Sequence, residues 1–169
     1  EMDEGRQCMI VYPLIEETEK SDLKAAEKAF TDLSSGDFSD YSIGLLHGRM
    51  KKDEKNDIMV KFFKNEINLL VSTTVIEVGI DVPNATVMVV EHADRFGLTQ
   101  LHQLRGRVGR GTEKSVCVLV QRKFTESGLK RLQIMEETND GFKIADKDLL
   151  MRGPGAFFSS KQSGFLKYR

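Results

Sequence analysis

Five short runs dominated by aliphatic and β-branched residues punctuate the chain: "QCMIVYP", "YSIGLLHG", "INLLVST", "TVMVVEH" and "SVCVLVQ". Each is close to continuously apolar instead of alternating, which is the pattern of strands covered on both faces, as in a parallel sheet. Helical periodicity fills the gaps between several of them. Ser21 is placed to cap a helix that buries Leu23, Ala26, Phe30 and Leu33, spaced three or four apart. A second helix is expected over about Lys51 to Lys64, with Ile58, Met59, Phe62 and Phe63 inward. A third starts at Leu98 and lines up Leu101, Leu104 and Val108, and a fourth follows Thr125 with Leu129, Leu132 and Met135 inside. Strands alternating with helices in this way predict a three-layer α/β sandwich on a mainly parallel sheet.

After Thr138 the pattern changes. The last 31 residues, "NDGFKIADKDLLMRGPGAFFSSKQSGFLKYR", hold four glycines, one proline and no long periodicity. They read as an irregular extension with a hairpin or short helix. Phe142, Leu149, Leu150, Phe157 and Phe158 are too apolar for a disordered tail, so packing against the sandwich is expected. The predicted division is therefore a lobe over 1–138 and an extension over 139–169.

Charge narrows the partners only locally. A net charge of -1 carries no global nucleic-acid signature. The first twenty residues hold six acids against two bases, whereas Leu150 to the end holds four bases and no acid. Cys8 and Cys117 sit within apolar runs and read as small buried hydrophobes of a reducing compartment. No apolar run approaches the ~18–20 residues of a membrane span, and a cytoplasmic protein without a membrane partner is expected.

Against that neutral background, "QLRGRVGRG" (Gln103 to Gly111) packs three arginines and three glycines into nine positions. At ~100° per residue Gln103, Arg107 and Arg110 share one sector, about 130° from the Leu98–Leu101–Leu104–Val108 stripe. Gly106 and Gly109 argue against a regular helix through Arg110, which places the last arginine in the loop beyond. Guanidinium forks suit phosphate oxygens, and glycines let backbone approach them. A solvated basic helix end explains neither the glycines nor the glutamine.

Two further stretches leave strands in turns. In "VSTTVIEVGIDVPNA", Ser72, Thr73 and Thr74 offer hydroxyls and N–H groups at a strand's carboxyl end, Gly79 permits a sharp turn, and Asp81 can accept from ribose hydroxyls or approach a metal's shell. A purely structural turn is the alternative. In "LLHGRMK", His47, Gly48 and Arg49 are expected to be exposed, whether as polar surface or as contacts. No G-x-x-x-x-G-K-[ST] loop is present: in "GRVGRGTEKS" Thr112 stands at the lysine position. The chain thus offers arginines for a nucleotide's phosphates without the cradle that binds and activates it.

These stretches resemble motifs of the superfamily 2 helicases: "QLRGRVGRG" their Q-x-x-G-R-x-x-R motif VI, "STTVIEVGIDVPNA" motif V, and "LLHGRM" motif IVa. The wording of "TTVIEVGIDVPNA" and "GLTQLHQLRGRVGRG" is most similar to the RecG family of branched-DNA helicases, with the transcription–repair coupling translocases next. "DGFKIADKDLLMRGPGAFFSSKQSG" resembles the translocation motif those families share, although Ala156 and Lys161 stand where an acid and an arginine are expected.

The resemblance covers essentially the whole chain. It implies a RecA-like second motor lobe followed by the translocation motif. Partners would be branched double-stranded DNA, together with a first motor lobe and a wedge domain of the same parent chain. The first lobe would hold most of the contacts to ATP and Mg2+, so this lobe alone should not hydrolyse ATP. Motif VI implies Arg110 as arginine finger, Arg107 as a second phosphate contact and Gln103 as a positioning group. Motif V implies nucleotide contacts at Gly79 and Asp81. DNA contacts are implied at His47, Arg49, Thr73 and Thr74, and coupling of the motor to duplex movement at Arg152 and Gln162. No metal ligand is implied on this chain. The alternative functions are the motor lobe of a coupling translocase, or a nucleic-acid-binding module with no enzymatic partner lobe.

Overall fold

The computed structural model of the protein describes residues 1–14, 19–73 and 82–152. Five strands, β1 (Gln7–Tyr12), β2 (Ile43–Leu46), β3 (Leu69–Thr73), β4 (Ala85–Val90) and β5 (Val116–Leu119), form one sheet. Their order is β2-β3-β1-β4-β5 and every neighbouring pair is parallel. The helices are α1 (Glu19–Ser35), α2 (Lys52–Phe63), α3 (Leu98–Arg105), α4 (Glu126–Glu137) and α5 (Gly141–Arg152). The expected α/β architecture is present.

Connection handedness decides which helix covers which face. The β1-to-β2 crossover runs one way along the sheet and the β4-to-β5 crossover the other, so right-handed connections place α1 and α3 on opposite faces. The burial pattern agrees. Met9, Val11, Leu70, Met88 and Val90 share a core with Met59 and Phe62 of α2, Leu98 and Leu101 of α3, Ile134 and Met135 of α4, and Ile144 of α5. On the opposite face α1 lies over β1, β2 and β3 with Leu23 and Ala26 buried. Gln7 enters the core as an amide, donating to the carbonyls of Phe62 (2.6 Å) and Ile67 (2.7 Å) and so tying the α2–β3 turn to β1.

Several local expectations are corrected. Ser21 lies inside α1, which already runs from Glu19, so it is not the cap; Phe30 and Leu33 are only half-buried. Phe63 is exposed, because an inward stripe of α2 through Met59 and Phe62 turns the next position outward. β5 is not covered on both faces: it is an edge strand beyond the reach of α1, and Val116 and Val118 face solvent. The stretch after Thr138 contains a regular 12-residue helix, α5, whose first turn is held by Asp140 Oδ1 accepting from Phe142 N at 2.9 Å. Ile144 is the residue of α5 buried in the core, with Met151 partly buried against it, while Phe142, Leu149 and Leu150 are exposed. Phe157 and Phe158 lie outside the described residues.

Candidate nucleotide and nucleic-acid interface

Helix α3 is the element that positions the arginine-rich stretch. It starts where the Gly97 N–H donates to Gln100 Oε1 at 2.9 Å, and Leu98 and Leu101 anchor it in the core. It ends at Arg105, so Arg107 and Arg110 lie in the following loop, and Gln103 is exposed on the last turn. Two glycines shape that loop for reasons of chain geometry. Gly109 has φ +77°, a left-handed conformation that other residues rarely adopt. Gly111 runs so close to the segment before β4 that an added Cβ would lie 2.6 Å from the Pro83 carbonyl oxygen. The arginine loop is therefore seated against the chain that immediately follows Asp81.

Within the loop the arginines are distinct. Arg110 is exposed and donates from Nε to the Gly106 carbonyl at 2.9 Å, which fixes the guanidinium plane relative to the helix end. Arg107 is half-buried, and its side chain makes no hydrogen bond or ion pair to a described residue. The third arginine of the motif, Arg105, is structural: it donates to the Met135 carbonyl (2.6 Å) and contacts His102 Nδ1 (3.2 Å), pinning α3 to α4. Gly79 and Asp81 lie outside the described residues. Among the described residues of this loop the donors are guanidinium groups, which suit phosphate oxygens.

The other expected contacts gather at the opposite end of the sheet, at the carboxyl ends of the strands. The register pairs Leu46 with Ser72 and Tyr12 with Thr73, so His47 follows β2 next to the end of β3. Ser72 and Thr73 are buried, and their hydroxyls have no hydrogen-bond partner among the described residues; neither has His47 Nδ1. Buried polar atoms without partners are rare and costly, on the order of 1–3 kcal/mol each, and among the described residues these three lie at the ends of the neighbouring strands β2 and β3. His47 is half-buried, a correction to its expected exposure, because its Nδ1 is shielded from solvent. Arg49 is exposed as expected but holds Glu19 Oε1 at 3.0 Å. Thr74 and Gln162 lie outside the described residues.

Helix α5 joins the two ends. Gly141 packs on the His102 ring near the end of α3, and Asp148 Oδ2 accepts from Thr99 Oγ1 at 3.1 Å near its start. The helices are thus antiparallel, and α5 carries the chain back toward the carboxyl ends of the strands, closing at Arg152.

Sequence reasoning missed a set of ion pairs along the same carboxyl edge. Arg95, in the 3-10 turn Ala93–Arg95 that precedes α3, grips Asp22 of α1 through both nitrogens at 2.6 and 2.9 Å. Arg122, just beyond β5, grips Glu91, just beyond β4, at 2.9 and 3.0 Å. The hydrogen bond to Glu91 raises the Arg122 pKa, and burial, then the charge of Glu91, raise that of the neighbouring Tyr12 phenol. The partners lie 73 and 31 residues apart, beyond any periodic signal; the only hint was an acid directly after an apolar strand run.

The arrangement has known counterparts. The helicase conserved C-terminal domain family matches residues 1–112. The ATP-dependent DNA helicase RecG of Bacillus subtilis is 51% identical over 169 residues, all of this chain and 25% of that protein. That of Synechocystis sp. is 54% identical over 164 residues, 97% of this chain and 20% of the relative. The chain therefore spans about a quarter or less of the length of these relatives. Among solved structures, RecG bound to a three-way DNA junction superposes with TM-score 0.75 at 48% identity, over 92% of this chain and 20% of that one. A leucine-to-valine variant of S. cerevisiae Dbp5 bound to RNA and ADP BeF3 shares the fold alone, with TM-score 0.59 at 17% identity, over 87% of this chain and 38% of that one.

Proposed function

Because the chain belongs to the helicase conserved C-terminal domain family, we propose that it is the second, RecA-like motor lobe of an ATP-dependent helicase and translocase of double-stranded branched DNA, acting in recombination and repair. The observation that carries this reading is the seating of the motif VI loop on Pro83. That contact gathers Arg107, Arg110 and the chain adjoining Asp81 on one surface, while His47, Arg49 and Thr73 stand at the far end of the same rigid sheet. The nucleotide, with Mg2+, would be held mainly by a first lobe carrying the phosphate loop. Arg110 would reach the transferring phosphoryl group with its Nε plane set by Gly106, Arg107 would hold a neighbouring phosphate, and Gln103 would orient the pair. Gly79 and Asp81 would complete the nucleotide contacts.

Thr73 and Thr74, with His47 and Arg49, would meet a DNA backbone at the strand ends. Arg152 and Gln162 would couple lobe movement to the duplex. The similarity to a RecG bound to a three-way junction supports branched DNA as the substrate class.

The test is a substitution in the full-length protein. Arg110→Ala should lower branched-DNA-stimulated ATP turnover by ~10³ or more, with DNA affinity nearly unchanged. Arg110→Lys should recover little, since an ammonium cannot span two oxygens as a fork does. Near-normal turnover in the alanine protein would overturn the assignment of the finger.

A further inference from the structure

The carboxyl edge of the sheet carries a second basic end that no helicase motif covers. Among the described side chains, three arginines along this edge each sit on a carboxylate, but they differ in what they leave over. The Arg95–Asp22 pair is sunk in the protein, with side chains 23% and 7% exposed. Arg95 is therefore a strut between α1 and the turn before α3. Arg49, past β2, is exposed together with its partner Glu19. Arg122, past β5, is the unequal case: its side chain is 56% exposed, whereas Glu91 beneath it is only 13% exposed. Nε and Nη2 are spent on Glu91, and no described residue takes Nη1. The carboxylate holds one edge of the guanidinium from below and presents the other outward. The backbone N–H of Arg122 donates to the buried Asp94 at 3.0 Å, so the main chain is fixed as well. Lys123 follows, exposed.

We propose that Arg122, oriented by Glu91 and followed by Lys123, is a phosphate-binding station for duplex DNA at the β5 end of the lobe. It rests on the reading of the carboxyl edge as the DNA side. With strands about 4.8 Å apart, β2 and β5 are separated by roughly 19 Å. The basic groups past those two strands thus bracket a backbone crossing the whole edge, with the end of β3 between them. A guanidinium held on one side and open on the other is preorganised for a phosphate and loses little rotamer freedom on binding.

The experiment is duplex binding by the full-length protein over a salt series. Arg122→Gln should weaken binding roughly three- to tenfold, whatever the sequence, and should flatten the dependence of log affinity on log salt by about one ion. Arg122→Lys should restore most of that slope, which a role in packing alone would not allow. Should Arg122→Gln fail to fold because Glu91 is left unpaired, the neutral pair E91Q/R122Q removes both charges and should lose the same increment of slope. If the wild-type protein binds duplex with a clear salt slope and these variants keep it unchanged, this station does not exist, although the DNA reading of the edge survives. If the wild-type protein shows no salt-dependent duplex binding at all, the reading beneath it fails as well.

Discussion

Residue identity matters here chiefly through what is buried around each group. Cys117 shows this at a position the sequence treats as a plain hydrophobe. Its thiol borders a cavity of about 370 Å³ between β5, α3 and α4, lined also by Leu119, Leu129 and Leu132. Burial pushes its pKa up to about 11 despite the nearby charge of Arg105. Since the thiolate is the nucleophile, Cys117 at pH 8 should react with iodoacetamide about a hundredfold more slowly than a free thiol, and denaturant should abolish the difference. Fast labelling in the native protein would mean that the cavity admits water more freely than its lining implies. Its apolar run reads as that of a buried small residue, but the structure leaves Cys117 half-buried, because its strand lies at the sheet edge. The roles of the motif's arginines were less accessible. Three guanidiniums in nine positions announced an anion, but which of them is consumed internally depends on Met135 and His102, brought in by α4 and α3 packing. No spacing rule separates Arg105 from Arg107 and Arg110 in that sense.

Elements were easier to foresee than their faces. The strands were recognisable because buried parallel strands need continuous apolar runs, and the helices because a sandwich needs amphipathic cover. The error at β5 came from the same rule: its sequence is as apolar as the others, but edge position is a property of topology, not of the run itself. Helix α5 was foreseen only as a hairpin or short helix because it is weakly amphipathic: Ile144 is its residue in the buried core, while Phe142 and Leu150 point to solvent. This gives an unequal pair of expectations. Ile144→Ala should cost about 2–4 kcal/mol, the usual range for emptying a packed aliphatic site. Phe142→Ser, at 86% exposure, should change stability by no more than about 0.5 kcal/mol. Urea unfolding of both variants checks the pair, and a large loss at Phe142 would mean that its ring is covered in solution.

At the scale of the molecule, the lobe holds two candidate sites at opposite ends of one sheet, joined by helices that run between them. Helix α3 spans roughly 12 Å from its start near the strand ends to the arginine loop, and α5 returns antiparallel along it. In the proposed motor, a closure at the arginine loop would pass through these two packed helices to the place where α5 ends. That end is Arg152, the last residue of a helix held to α3 by Thr99–Asp148 and to α4 by Lys147–Glu137. A side chain at the far end of such a lever can affect what the lobe does to DNA without touching the hydrolysis of ATP. Arg152→Ala in the full-length protein should accordingly leave DNA-stimulated ATP turnover within about twofold of wild type, while unwinding of a forked duplex falls at least tenfold. Both rates belong on one preparation with one fork, so that folding losses cancel. Equal losses would move Arg152 into folding or nucleotide binding, because a lever can fail at its tip only if its fulcrum still works.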